Sequence, residues 1–113
     1  MTKNQILDIH AHTLRANFHQ MAAALSYIDP KTEAFDYICN AEIAAFERLA
    51  KFYDEHFELF NEEEAIHLTK AIVIWSNAGE KLTDEEADAL TEAECSLYDY
   101  YNENIDEDGY FDE

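Results

Sequence analysis

The sequence predicts an all-α protein, a compact bundle of about four helices with an acidic C-terminal tail. Three observations lead there. The chain has two glycines and one proline in 113 residues, so it has little material for turns and favours few, long elements. Apolar residues recur at intervals of three and four along most of its length, the period of helices packed on one side. The apolar fraction of 48% suffices for a real core, and a single domain of this length buries roughly two-thirds of its unfolded surface. The expected division is one helical domain over 1–103 and a tail over 104–113.

The first expected helix runs from about Asn4 to Ile28 on a seam of Leu7, Ala11, Leu14, Phe18, Met21, Leu25 and Ile28. The intervals alternate four and three, which suits packing against another helix. That seam reads as bundle core, with a homodimer contact as the second possibility. Asp29 and Pro30 stop the helix, and the same pair is expected to open the next, with Asp29 as N-cap and Pro30 at the first position. The second helix carries an aromatic-rich stripe, Phe35, Ile38, Cys39, Phe46, Leu49, Tyr53, Phe57 and Phe60. A break near Asn40 is expected, because thirty helical residues are long for so small a domain.

Asn61 and Glu64 are expected to form a capping box, and Glu62 to Glu64 suit the positive end of the third helix. Its segment "AIHLTKAIVIW" is apolar on most sides and is expected to be central, ending at Gly79 as C-cap. Thr83 and Glu86 form another capping box. The fourth helix is expected from about Asp84 to Tyr101, with Ala87, Leu90, Leu97 and Tyr101 facing the core.

Charge separates this chain from ordinary small domains. Twenty-six acidic residues against seven basic ones give −19, well beyond the roughly 2–8 units usual for a soluble domain. Such a balance excludes ordinary affinity for nucleic acid or anionic membrane and suits a strongly basic partner. From Glu80 onward there are fourteen acidic residues and one basic residue, Lys81, a net −13; the preceding part has twelve and six, a net −6. Cys39 and Cys95 lack metal-ligand spacing, which fits a reduced, cytoplasmic protein. No signal-peptide pattern opens the chain, and no apolar run approaches membrane-spanning length.

Several short motifs invite a chemical reading. Asn104, Asp106 and Asp108 alternate and Gly109 stands sixth, which resembles the opening of an EF-hand calcium loop. Tyr110 would give the carbonyl at the seventh position and Asp112 would stand ninth, while the twelfth falls beyond Glu113. "GEKLTDEEADAL" resembles the start of an EF-hand entering helix of the calmodulin type, although Leu82 lies farther before Asn104 than such a helix needs. Together these imply the alternative of a calcium-responsive EF-hand-like helical module. "ILDIHAHT" resembles the metal-binding His-x-His strand of amidohydrolase barrels, but that fold needs more than about 200 residues. On a helix, His10 and His12 point about 200° apart. Glu64-x-x-His67 is half of the di-iron signature of ferritin-like bundles, with no second copy. No nucleophile constellation or glycine-rich phosphate loop stands out, so the chain is read as non-enzymatic and without a cofactor.

The acidic surface is what remains. Asp84, Asp88 and Glu92 recur at i, i+4 with Glu85 beside them, followed by Asp99, Glu103, Asp106 and Asp108. Four residues of helix rise about 6 Å, comparable to the separation of successive phosphates on one DNA strand. Like charges at this spacing destabilise a helix, so their accumulation asks for a reason. Tyr98 lies among them, and Tyr100, Tyr101 and Tyr110 add the kind of side chain that interfaces favour. In size, charge, helicity and acidic ending the chain resembles the small phage and plasmid proteins that mimic DNA to block restriction or CRISPR enzymes.

The resemblance implies an inhibitor of a basic nucleic-acid-binding protein or nuclease complex in a host cytoplasm, without direct contact to nucleic acid or membrane. Asp84, Glu85, Asp88, Glu92, Tyr98, Asp99, Glu103, Asp106 and Asp108 are the expected contacts. A solvated acidic face that keeps the protein soluble is the plain alternative, and an acidic helical adaptor binding through its apolar seam is a third.

Overall fold

A computed structural model describes residues 1–79, 81–106 and 108–111. Four helices are present: α1 (Lys3–Leu25), α2 (Glu33–Glu55), α3 (Glu62–Asn77) and α4 (Asp84–Asn104), with a short 3-10 turn at Phe57–Leu59 leading into α3. No strand occurs among the described residues. The predicted all-α bundle is the observed fold.

Local chemistry explains the helix starts. Thr2 and Thr83 form full capping boxes with Gln5 and Glu86, each satisfying N–H groups that a helix N-terminus leaves free. The start of α2 is set differently from expectation. The Asp29 carboxylate accepts from the Lys31 N–H at 3.0 Å and the Asp29 carbonyl from the Thr32 N–H at 3.1 Å. With Asp29 occupied in its own turn, Thr32 becomes the cap and accepts from the Phe35 N–H at 3.3 Å. The helix then runs unbroken through Asn40 to Glu55.

α1 packs against α2 and α4, and α3 packs against α4. Phe46 and Ala50 of α2 line a cleft with Ile72 and Trp75 of α3 on the fourth side. Phe18, Leu49, Leu68, Leu97 and Tyr101 are fully buried at the centre. The heptad seam of α1 is therefore bundle core: Ala11, Leu14 and Phe18 are buried, and Leu7 and Met21 pack against them. α3 is not the central helix. Leu68 and Ala71 face inward, but Ile66, Val73 and Trp75 remain 50%, 49% and 40% exposed, because a bundle helix hides one stripe and this one is apolar on more than one.

The C-terminal segment is a hook folded onto α1, so the expected boundary at 103/104 does not mark a free tail in the described residues. Ile105 is buried, Ile105 and Phe111 form an antiparallel bridge, and the Asp106 N–H donates to the Tyr110 carbonyl at 2.8 Å. His12 Nδ1 donates to the Asp108 carbonyl at 2.7 Å, and its ring lies 3.8 Å from that of Tyr110. Gly109 makes this approach possible. It is buried, has φ +86°, and a Cβ there would run into the His12 carbonyl. Gly109→Ala is expected to destabilise the protein by about 1–3 kcal/mol through strain and lost contacts. Urea denaturation would check this, together with limited proteolysis detecting release of the hook.

Candidate partner-binding surface

α4 separates an apolar face from an acidic one. Leu90, Ala93, Leu97 and Tyr101 are buried, which turns the other side of the helix to solvent. At 100° per residue, Asp84, Glu85, Asp88, Glu92, Asp99 and Glu103 fall within an arc of about 100°. All six are exposed. Asp84 and Glu103 stand about 28 Å apart along the axis, close to the length of eight base-pair steps of duplex DNA. No basic residue occurs after Lys81. Among the described residues, none of these six carboxylates forms an ion pair within 4 Å.

The other expected contacts have mixed placements. Tyr98 is half-buried, its ring stacked 5.1 Å from His19, so it supports the face more than it projects from it. Asp106 is exposed, but its Oδ1 accepts the N–H groups of Asp108 at 2.9 Å and Tyr110 at 3.0 Å. It holds the hook turn. Asp108 is exposed and lends its carbonyl to His12. The Asn104 amide donates to the Tyr100 carbonyl at 2.8 Å, as a helix-end side chain does. Asp112, the ninth position of the EF-hand resemblance, lies outside the described residues. Among those described, no group of three or more His, Cys, Asp or Glu side chains is arranged to hold a metal ion.

A buried polar network fixes α4 in the bundle. Arg15 of α1, 5% exposed, donates from Nε to Glu64 Oε2 at 2.6 Å and from Nη2 to Glu64 Oε1 at 3.2 Å. It also donates to the Leu59 carbonyl at 3.1 Å, and its guanidinium carbon lies 4.9 Å from the ring centres of both Phe60 and Phe111. The Tyr101 hydroxyl donates to Glu64 Oε2 at 2.6 Å. Burial, reinforced by the Glu64 carboxylate, raises the Tyr101 phenol well above its ordinary pKa, so it stays a donor. One carboxylate thus ties α1, α3 and α4 together. Two-point contact with a planar guanidinium specifies orientation as well as proximity.

A second carboxyl feature joins α2 to α4. Glu42, 6% exposed, and the half-buried Glu94 share a side-chain hydrogen bond. Burial pushes both carboxyls up; for Glu94 the charge of Glu42 and the shared bond add to it, bringing it to about 8. Two carboxyl groups this close retain one proton between them. Cys39 and Cys95 are free thiols, raised above their ordinary value by burial and then by neighbouring carboxylates that include Glu42 and Glu94. Raised thiols are poor nucleophiles.

The histidine motifs disperse in the same way. His10 packs edge-on to Phe52 at 4.5 Å, while His12 belongs to the hook. Glu64 of the Glu-x-x-His pair is fully buried against Arg15, and His67 lies 5.3 Å from the Tyr100 ring. Neither carboxyl feature was apparent from spacing. The one available signal was Arg15, a cation inside an apolar seam. Among the described residues, no helix is long and apolar enough to cross a membrane. Comparison with protein-family models, curated proteins and solved structures finds no match to this chain.

Proposed function

We propose that this protein binds and inhibits a basic nucleic-acid-binding protein by offering α4 as a rigid row of carboxylates in place of DNA phosphates. The observation that carries the reading is the exposed arc of six acids without a cationic neighbour on α4. Each carboxylate paired with a partner's Lys or Arg would give up its counterions, as a phosphate does when a protein binds DNA. Restriction enzymes and CRISPR nuclease complexes in a host cytoplasm have grooves of this kind. The protein itself would act without chemistry, cofactor or direct nucleic-acid contact.

The test is a pull-down from bacterial lysate at low salt, followed by competition with duplex DNA and by charge-neutral variants. Changing Asp84→Asn, Asp88→Asn, Glu92→Gln and Asp99→Asn together is expected to weaken binding about a hundredfold or more. The salt slope, log affinity against log salt, should become shallower. The same variant should melt at a higher temperature, since like charges at i, i+4 are relieved. Unchanged affinity in that variant would remove α4 as the interface, and a partner that DNA does not displace would remove mimicry.

A further inference from the structure

The acidic arc of α4 is continuous with an apolar groove. Val73 and Ile74 of α3 form one wall, and Ala89, Ala93 and Ser96 of α4 form the other, with Glu92 at the edge; the groove encloses about 560 Å³. Ala89, Ala93 and Ser96 stand at i, i+4 and i+7, the stripe bordering the acidic arc, and Glu92 belongs to both. Val73 is half exposed, and Ile66, two turns earlier on the same face of α3, extends the stripe at 50%. Short side chains on α4 leave room for another backbone, while the aliphatic side chains on α3 supply apolar area. Lys70 is the one cation lining the groove.

We infer that this α3/α4 groove seats an amphipathic helix of the partner, its aliphatic side chains on Val73 and Ala89 and its Lys or Arg side chains on the α4 carboxylates. Charge selects that occupant. A second copy of this chain would bring another net −19 against the same acidic edge, whereas a basic helix neutralises it. In helix-in-groove recognition the docking helix supplies apolar anchors at i, i+3, i+4 and i+7, and the apolar groove between α3 and α4 has room to receive them. The inference rests on the basic partner proposed above but not on DNA mimicry. It adds a contact that salt does not screen, so part of the affinity should persist where charge contacts are lost.

The test uses two fluorescent twenty-residue peptides made only of leucine and lysine. One places leucine on a single helical face; the other has the same composition, scrambled so that no such face forms. The amphipathic peptide is expected to bind the full chain at least tenfold more tightly in 0.3 M salt, and ¹⁵N amide shifts should cluster at Thr69, Val73, Ala89 and Ser96. Val73→Asp and Ala89→Gln should each erase the preference, and loss in Val73→Asp cannot be electrostatic because that change adds an acid. Equal binding of the two peptides, or shifts centred elsewhere, would overturn the groove. So would sedimentation showing a dimer that Val73→Asp dissolves, because a second copy would then be the occupant. If groove variants release a natural partner while duplex DNA does not, mimicry fails and the groove stands. If DNA displaces the partner and groove variants do not, the groove fails alone.

Discussion

Arg15→Ala is expected to lower stability by about 3–5 kcal/mol, the cost of leaving a buried charge unpaired. Glu64 is fully buried, and after the change only the Tyr101 hydroxyl and local dipoles would face its carboxylate. For a domain of this size the melting temperature should fall by about 15 °C. Phe60 and Phe111 also lose the guanidinium between α1 and the hook, so the hook should loosen. Replacing all three members together, Arg15→Met and Glu64→Leu with Tyr101→Phe, is expected to recover most of the loss, because no buried charge or unpaired hydroxyl remains. Tyr101→Phe removes one bond to a charged acceptor and should cost about 1.5–3 kcal/mol. Urea denaturation followed by circular dichroism checks all three. A cost below about 1 kcal/mol for Arg15→Ala would mean that the network does not hold the helices.

The second large effect is a dependence on pH that runs against the usual acid denaturation. Glu94 is raised in the folded state from an ordinary 4.5 to about 8, so the folded protein holds a proton that the unfolded chain releases. Stability from this group is fully present below about 4.5, declines as pH rises, and is lost through about 8. Solvent reaches part of the side chain, so the swing is about 2 kcal/mol after screening, not the full value of the displacement. Cys39 on α2 and Cys95 on α4 feel the charge of both carboxyls, with Asp36 and Asp99 adding to it, but their raised thiols stay neutral over this range. Glu94→Gln keeps a donor toward Glu42 but removes the titration. It should flatten the stability profile between pH 5 and 8 and raise the melting temperature at pH 8 by several degrees. A variant with the profile unchanged would place the titration elsewhere.

These two features do different work. The Arg15–Glu64–Tyr101 network fixes the orientation of α4, and with it the direction in which the carboxylates face. The Glu42–Glu94 pair lies behind that face and sets how firmly α2 holds it. Neither group adds charge to the exposed arc.

The residues that locate helices were legible because their reasons are local. Thr83 and Glu86 sit three apart, and that alone determines a capping box whatever the rest of the chain does. The intervals of Leu7, Ala11, Leu14 and Phe18 place one stripe inward, and the structure buries it. The six acids of α4 could be assigned to one arc for the same reason, since helical geometry converts number into angle. Asp29 is not the cap because its carboxylate accepts from the Lys31 N–H and its carbonyl from Thr32, in a turn the helical period does not describe. Asn61 does cap α3, accepting from the Glu64 N–H at 2.8 Å, but the Glu64 side chain turned inward to Arg15 and closed no box.

By itself, then, the sequence determined the helical class, the cap at Thr83, the inner stripes and the acidic arc. Each depends on residues within about two turns of one another. Only the tertiary structure decided that Arg15 meets Glu64 and Tyr101, that Glu42 meets Glu94, that the last residues hook onto His12, and that Val73 is left outside. A buried charge is stable only where a partner from another helix arrives in the right geometry, and a second apolar stripe is covered only if a neighbour reaches it. Both are settled by how helices pack, a relation between residues far apart in the chain that periodicity cannot express.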